Sequence, residues 1–531
     1  MIVSNTTVAL WHVAMFLMAV IVLFGFKGRH LIVGSLALAG IIGYWATGNP
    51  FGPAVAVAVA GLILHAKYKG SKKTEFGTIA RGTDVADHVK RRGRGPSDQI
   101  TVGGIPIARE VEPQHFLLVG GPGTGKTVVC ESVMDAVRAR GQRCVVYDST
   151  GEFVSHYYRP GKDVILSPVD ARSALWSPWA EGRDSFAYEN LAQALIPDGQ
   201  GENQFWAQAA RAIMRAALAA TTDLSGLIDL IFAQDQEVLL SVLQMQGLAG
   251  LAGPPQMLAS SRGEAATYVQ PLSYLPDPGL SPFSIRDWVK DESKDSWLFI
   301  TSRADVHKSL RPLISMWVGL TVQAAMSLSP NRERRVWFVL DELPTLQKLP
   351  SLDLLLAGAR KYGACAVLGV QTVAQVRDTN GRDAAAAILS HPATRLTLRV
   401  GDGETAQYLS QSLGDRHTIR KVSSESHSAQ GGRSTSEQHA IEAAVLPSEI
   451  LALPNLIGYL RVPNDPVIKK IRLTPKDRPT LADPYQDRPL HTPPPIPQAP
   501  PPANPVGAVH AHTSAAGLDV PDLDGPDLPD L

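Results

Sequence analysis

The chain has 531 residues, of which 50 are Lys or Arg and 50 are Asp or Glu, so its formal net charge is zero. At roughly 100–200 residues per domain, this length predicts two to four structural units. A neutral balance excludes a globally basic nucleic-acid coat and a highly charged disordered chain. The three cysteines stand in no CxxC or His-paired spacing, which argues against a disulfide framework and a structural zinc site. They are typical of reduced core thiols in a cytosolic domain.

The first 66 residues are apolar and predict a transmembrane anchor. Val8–Phe26 contains no charged residue and is long enough, at about 1.5 Å per residue, to cross a hydrocarbon core of about 30 Å. Two shorter apolar runs, 31–47 and 51–66, form either one kinked helix or two helices, giving two or three spans. Lys27 and Arg29 favour three, because both basic segments then lie in the cytoplasm. A signal peptide is disfavoured because no basic residue precedes the first run.

Two segments of opposite charge flank the middle of the chain. Residues 67–98 are rich in Lys and Arg and predict a basic cytoplasmic linker. In residues 475–531, 15 of 57 are proline, which predicts a disordered, polyproline-like tail without a packed core. Its acidic end, Leu518–Leu531, is either a solubilising extension or a docking peptide for a basic partner surface. The Ser- and Gly-rich stretch Ser423–Arg433 predicts a mobile loop.

A phosphate-binding loop follows the short apolar strand predicted at His115–Val119. The sequence Gly120-Gly121-Pro122-Gly123-Thr124-Gly125-Lys126-Thr127 matches G-x-x-x-x-G-K-[ST] at all four fixed positions. Its glycines allow backbone N–H groups to curl around a phosphate, and the helix expected from Lys126 adds its positive dipole end. Lys126 is expected to contact the β- and γ-phosphates, and Thr127 to reach Mg²⁺. The pattern predicts ATP binding with Mg²⁺.

Polar residues end two further apolar strands. Val336–Leu340 is followed by Asp341 and Glu342, which we expect at the carboxyl edge of a parallel sheet, where ligands bind. Asp341 is predicted to hold Mg²⁺ and Glu342 to act as the general base. Gln371 ends the next such run, where its amide either senses the γ-phosphate or is an ordinary strand-end residue.

Two more residues have open interpretations. Arg360 ends the amphipathic stretch Leu352–Arg360, where it either complements a helix dipole or reaches a neighbouring subunit's nucleotide as an arginine finger. Asp148 ends the strand Cys144–Tyr147 as a further carboxylate in the crevice, without an assigned role.

The region between these strands predicts an inserted helical domain. Residues 184–275 lack clear strand patterns, and Phe205–Ala220 has helix-forming composition with apolar residues at helical spacing. Trp176, Trp179 and Trp206 are predicted as buried aromatics more readily than as base-stacking platforms.

These residues belong to a longer pattern that resembles the conjugative coupling proteins, the TraG/TraD-family membrane ATPases of type IV secretion. The resemblance covers Gln99 to Ile471 and is carried by GGPGTGKT, FSIRDW…WLFITSRAD…LRPLISMW, VWFVLDELPTLQKLPSL and GARKYG…GVQT. It implies an α/β fold: a RecA-like P-loop NTPase domain formed by 99–183 and 283–474, with 184–282 as an inserted all-α domain. The ATPase positions of the family correspond to Lys126, Thr127, Asp341, Glu342 and Gln371, and more weakly to Arg360.

The same resemblance implies a function. The expectation is a hexameric, DNA-stimulated ATP hydrolase on the bacterial inner membrane, with most of the chain in the cytoplasm, that moves DNA with attached protein into a secretion channel. Its partners would be DNA contacted through phosphates without sequence preference, relaxase and relaxosome accessory proteins, and channel components. The alternatives are a chromosome-segregating DNA translocase and an ATP-binding scaffold. A membrane AAA protease and an ABC importer subunit are excluded, because neither H-E-x-x-H nor an LSGGQ-like signature occurs.

Overall fold

The computed structural model describes residues 73–74, 77–89, 98–199, 201, 203–248, 250, 254–426 and 432–489. The predicted anchor at 1–66 and the tail from residue 490 onward lie outside these residues. Across the part that is described, no helix is both long enough and apolar enough to span a bilayer.

Strands are distributed along the whole described chain. They are β1 (Lys73–Thr74), β2 (Gly77–Gly82), β3 (Asp84–Asp87), β4 (Thr101–Val102), β5 (Ile105–Pro106), β6 (Phe116–Val119), β7 (Arg143–Asp148), β8 (Val164–Leu166), β9 (Trp297–Thr301), β10 (Val336–Leu340), β11 (Ala364–Val370), β12 (Thr394–Thr397), β13 (Asp415–Ser426), β14 (Gly432–Ala443), β15 (Ile457–Arg461) and β16 (Val467–Arg472).

The α-helices lie between these strands. They are α1 (Lys126–Ala139), α2 (Glu152–Tyr157), α3 (Ser185–Leu195), α4 (Asn203–Ala220), α5 (Leu224–Phe232), α6 (Gln236–Met245), α7 (Pro255–Val269), α8 (Ile285–Lys290), α9 (His307–Met326), α10 (Leu352–Gly358), α11 (Val373–Asn380), α12 (Arg382–Ser390), α13 (Gly403–Leu413) and α14 (Pro447–Leu451).

The central sheet has ten strands in the order β3-β16-β15-β12-β6-β11-β10-β7-β9-β8. Its pairings are parallel from β12 through β8, whereas β15 pairs antiparallel with both β12 and β16. The predicted α/β class is therefore confirmed, with a mixed rather than purely parallel sheet. Every residue of β6, β7, β9, β10 and β11 is buried. Burial on both faces explains why these strands are continuous apolar runs rather than alternating ones.

Helices cover both faces of this sheet. In β10, Val336 and Phe338 pack into the core on one face, while Trp337 and Val339 pack into the core on the other. Such alternation follows from the two-residue period of a strand. The second of these cores includes helix α1, so the helix that begins at the phosphate loop is anchored along its length.

The segment from Ser185 to Tyr274 is helical, and among its described residues there is no strand. Its core is built by residues such as Ala210, Ile213 and Ala217 of α4, which recur at helical spacing. Two of the tryptophans noted in the sequence are buried structural residues. Trp176 donates to Glu181 at 2.8 Å, and Trp179 donates to the Leu218 carbonyl at 3.0 Å.

The region predicted as a basic linker instead contributes strands. β2 pairs with β13 in a second, antiparallel sheet of order β1-β2-β13-β14, and β3 pairs with the edge strand β16 of the central sheet. Part of the predicted loop Ser423–Arg433 also lies in the hairpin formed by β13 and β14. Backbone hydrogen bonds hold such polar strands, so an apolar pattern is not required to form them.

The chain from Lys476 to Pro489, here called the C-terminal strap, packs on the α/β domain, although the sequence predicts a disordered tail from residue 475. Arg478 forms ion pairs with Glu131 at 2.6 Å and Asp135 at 2.9 Å, both on α1. The Tyr485 hydroxyl donates to the Ser302 carbonyl at 3.0 Å. Charged and aromatic side chains between the prolines therefore anchor this segment, so proline content alone places the start of the tail too early.

Candidate active site

The phosphate loop connects β6 to α1 and requires its glycines. Gly123 and Gly125 have φ angles of 68° and 117°, in the region that favours glycine. A β-carbon on Gly120 would lie 2.6 Å from Thr124 Oγ1 and 2.7 Å from Leu398 Cβ. The start of the loop is fixed to the neighbouring strand, because the Gly120 amide donates to the Val370 carbonyl at 3.1 Å.

The rest of the loop forms a cradle of free donors. Within the described chain, the amides of Gly123, Thr124 and Gly125 donate to no acceptor. Lys126 is buried, and its Nζ donates to the Gly120 carbonyl at 2.7 Å and to the Gly121 carbonyl at 3.4 Å. Free amides, a buried cation and a helix N-terminus together fit the phosphate groups of a nucleotide.

Asp341 and Glu342 lie at the same edge of the sheet as Lys126. In-register pairing of β10 with β11 and β7 brings their carboxyl ends together, and Lys126 Nζ is 3.9 Å from Glu342 Oε2. Burial raises the pKa of Asp341 to about 6, while the Lys126 charge acts in the opposite direction. Burial also raises the pKa of Glu342, against the hydrogen bond from Gln371 and the charge of Lys126. An excess of buried carboxylate over cation suits a site for a divalent metal.

Gln371 belongs to this cluster. It directly follows β11, and its Nε2 donates to Glu342 Oε2 at 2.7 Å. The bond fixes the orientation of one Glu342 oxygen, so Gln371 is more than an ordinary strand-end amide. Thr127 lies in the first turn of α1, next to Lys126.

Asp148 has a structural role that the sequence left open. Its Oδ1 accepts from the amides of Thr150 at 3.1 Å and Gly151 at 2.8 Å, and its Oδ2 accepts from Val154 at 2.9 Å. This fully buried carboxylate therefore ties the turn after β7 to the start of α2. Both of its oxygens are thus already engaged by backbone amides.

Arg360 is not part of the cluster in its own subunit. It is exposed and lies in a short 3₁₀ helix, Ala359–Tyr362, immediately before β11. Lys126, Glu342 and Gln371 lie at the opposite end of the parallel strands, about 20 Å away for a strand of this length. Among the described residues, no carboxylate pairs with the Arg360 guanidinium.

Cys130 also borders this cluster, although no sequence motif marks it. Its thiol donates to Asp341 Oδ1 at 3.6 Å. Burial raises the pKa of this thiol, with the Asp341 charge adding to the effect, so it stays protonated and able to donate. The signal was present in the spacing, because Cys130 stands one helical turn after Lys126 and therefore shares its face of α1.

Comparisons with known proteins show the family to which this chain is related. The model of the type IV secretion-system coupling protein DNA-binding domain family matches residues 99–474. The coupling protein TraD of Escherichia coli K12 is 35% identical over 463 residues, which are 84% of this chain but only 63% of TraD. The conjugal transfer protein TraG of Rhizobium radiobacter is 27% identical over 158 residues, or 29% of this chain and 25% of TraG.

Solved structures show the same relationship. The unbound conjugative coupling protein TrwBdeltaN70 is similar with a TM-score of 0.71 at 30% identity, covering 78% of this chain and 98% of that one. The plasmid coupling protein TrwB in complex with ADP and Mg²⁺ has a TM-score of 0.70 at 29% identity, covering 79% and 100%. The family model spans most of this chain, and both the sequence of TraD and the fold of TrwB match over more than three quarters of it. The chain therefore belongs to the type IV secretion-system coupling protein family.

Proposed function

We propose that this protein is a membrane-anchored ATPase that uses hydrolysis to move DNA, with attached protein, into a type IV secretion channel. The observation that supports it most is the convergence of Lys126, Asp341, Glu342 and Gln371 at one edge of a sheet, in a chain of the coupling protein family. The relative TrwB has been solved with ADP and Mg²⁺ and with an ATP analogue, and we extend both ligands to this cradle.

The chemistry assigned to the chain follows from the positions of its groups. The free amides of the loop and Lys126 would hold the β- and γ-phosphates, and Asp341 with Thr127 would hold Mg²⁺, which supplies positive charge to the phosphates when bound. Glu342 orients and deprotonates the attacking water, and Gln371 holds Glu342 in position through the 2.7 Å bond. The Cys130 thiol fixes the orientation of the Asp341 carboxylate by donating to its Oδ1.

The assembly is part of the same proposal. A homo-hexamer at the inner membrane would place the exposed Arg360 against a neighbouring subunit, where it acts on that subunit's nucleotide. DNA is contacted through its phosphates, so binding is independent of sequence and weakens with salt. Relaxosome proteins deliver the DNA, and channel components receive it.

The test uses the full-length protein purified in detergent, with ATP and Mg²⁺, and measures phosphate release with and without DNA. We expect turnover that rises severalfold with DNA of unrelated sequences and falls again at high salt. Lys126→Ala is the matched control, because it removes the phosphate cation while leaving the rest of the chain unchanged. Turnover equal to that of Lys126→Ala under all conditions would exclude a motor and favour an ATP-binding scaffold.

A further inference from the structure

Helix α9 presents one polar stripe to the segment that follows Glu342. His307 Nε2 lies 3.1 Å from the Thr345 carbonyl, and Arg311 donates to the Pro344 carbonyl at 3.3 Å. Ser315 accepts from the Gln347 amide at 3.0 Å. The three helix residues are spaced by four, so they share one face of α9.

The far end of the same segment reaches the helical region. Gln347 Nε2 donates to the Leu195 carbonyl at 2.8 Å, at the last residue of α3. Helix α9 also packs directly against α3. Residues 343–347, here called the linker segment, therefore have the proposed general base at one end and the helical region at the other.

The near end of the linker segment is fastened to Glu342 itself. Thr345 Oγ1 donates to the Glu342 carbonyl at 2.7 Å and lies 2.6 Å from the Tyr147 hydroxyl. His307 Nδ1 lies 2.6 Å from Ser302 Oγ at the end of β9, so the helix start is fixed to the sheet as well. A shift of the Glu342 backbone therefore moves groups that are hydrogen-bonded to α9.

These hydrogen bonds between α9 and the linker segment require the burial of polar atoms, which costs desolvation free energy. Apolar side chains would close this contact without the cost of desolvating polar atoms. In the described chain, Arg311 even keeps a buried Nε without a hydrogen-bond partner. Directional hydrogen bonds, unlike apolar contacts, hold one register between the helix and the linker segment, which suits an element that transmits a displacement.

We propose that the linker segment couples the nucleotide site to the helical region, with Arg311 and Gln347 as positioning residues that transmit movement of Glu342 to α9 and α3. The inference rests on the proposed function only in requiring that the cradle binds a nucleotide. Gln347 transmits the movement to α3 through its hydrogen bond to the Leu195 carbonyl. Arg311 transmits it to α9 through its hydrogen bond to the Pro344 carbonyl. Physical coupling of this kind has to be shown by a change at the second site, since proximity alone does not establish it.

The experiment is amide hydrogen exchange on the full-length protein in detergent, with and without Mg²⁺ and a non-hydrolysable ATP analogue. In the unmodified protein, we expect the analogue to change exchange at least twofold in peptides covering α3 and the first half of α9. Gln347→Met keeps the side-chain volume but removes the donor to Leu195, and should abolish the change in α3. Arg311→Met should abolish the change in α9. Neither variant should alter analogue affinity by more than about threefold, because neither residue is in the cradle.

Gln323→Met is the matched control, since Gln323 lies on α9 and its side chain makes no hydrogen bond within the described residues. It should behave as the unmodified protein does. An unmodified protein that binds the analogue without any change in α3, or a Gln347→Met protein with the full change, would overturn the coupling. Absence of analogue binding, measured separately by titration, would instead overturn the proposed function.

A second readout separates coupling from general damage. Under the proposed function, Gln347→Met should lower the ratio of DNA-stimulated to basal hydrolysis severalfold, whereas a merely destabilised protein loses both rates together. Thermal unfolding of each variant identifies the latter case. If Gln347→Met does not fold, Arg311→Gln, which keeps one donor to the linker segment, should retain an intermediate response. A full response in both Arg311→Gln and Arg311→Met would contradict the model.

Discussion

The residues that we propose for catalysis were predictable because each follows an apolar run at a fixed point. Lys126 belongs to a spaced motif, and Asp341 and Gln371 directly follow strands that are buried on both faces. Asp148 carries the same signal but is used to cap a turn. Position along the sequence thus indicates which edge of the sheet a carboxylate occupies, but not whether backbone amides already engage it. Cys130 could have been found only by projecting α1 onto a helical face.

The first prediction separates binding from hydrolysis. Lys126→Ala should abolish turnover because the phosphates lose their only buried cation in the described part of the site. Glu342→Gln should bind ATP within about threefold of the unmodified protein, since a glutamine can still accept the Gln371 bond. Its turnover should fall by roughly 10²–10⁴-fold, the typical contribution of a general base. Fluorescent-nucleotide titration and phosphate release measure the two quantities. Turnover of Glu342→Gln close to normal would reject Glu342 as the base.

The second prediction concerns acid stability. The buried His115 accepts a hydrogen bond from the Ala366 amide at 3.1 Å, and burial lowers its pKa to about 4. The unfolded chain takes up a proton at His115 near pH 6.5, and the folded chain does not. Above pH 6.5 the imidazole is unprotonated in both states, so His115 makes no pH-dependent contribution to the free energy of unfolding. It destabilises the fold as pH falls from 6.5 towards 4, by about 2 kcal/mol at pH 5. His115→Asn, which keeps an acceptor, should lower stability at pH 7.5 but reduce its further loss at pH 5. Urea unfolding at both pH values measures this, and an unchanged pH slope would contradict it.

At the scale of elements, the strands that could be predicted from the sequence are those buried on both faces. The strands β6, β7, β9, β10 and β11 stand out in the sequence because both of their faces are covered. In contrast, β2 pairs with a hairpin more than 300 residues away, through polar residues with no apolar alternation. Its partner cannot be inferred from local sequence, because the pairing energy lies in the backbone. The C-terminal strap was missed for a similar reason, since its anchoring residues are dispersed among prolines.

The third prediction tests the strap. The Arg478 side chain is only 9% exposed and pairs with both Glu131 and Asp135. Arg478→Met should leave these carboxylates without their shared cation and loosen the strap, because losing one partner of a largely buried pair is costly. Limited proteolysis should then cut within 476–489, where we expect the unmodified protein to resist cleavage. Arg472→Met, at an exposed end of β16, is the control and should show the unmodified pattern. An unchanged cleavage pattern in Arg478→Met would show that the ion pairs do not hold the strap.

At the scale of the whole molecule, the described residues bring no arginine to the proposed nucleotide site. The cradle, Asp341, Glu342 and Gln371 all belong to a single edge of the sheet, and no arginine of the same chain is bonded to that cluster among the described residues. Phosphoryl transfer in P-loop enzymes commonly uses an arginine supplied by a neighbour. Arg360, exposed at the opposite edge, has the position expected of such a donor. Sequence alone left this residue between two roles, because a helix-end arginine and an arginine finger have the same local pattern.

The last prediction therefore concerns assembly. Arg360→Ala and Lys126→Ala should each be inactive alone, since every subunit interface then lacks one required residue. In mixed rings formed at equal ratio, an interface is productive when an Arg360→Ala subunit supplies the cradle and a Lys126→Ala subunit supplies Arg360. Random assembly gives this arrangement at about one interface in four, so we expect up to about a quarter of normal hydrolysis. The control mixes Lys126→Ala with the double variant Arg360→Ala/Lys126→Ala, which has no intact cradle and should stay inactive. Differently tagged subunits verify mixing by sequential affinity capture. Mixed rings without recovery would show that Arg360 does not act across the interface, and its place beyond the end of α10 would then be explained by the helix dipole alone.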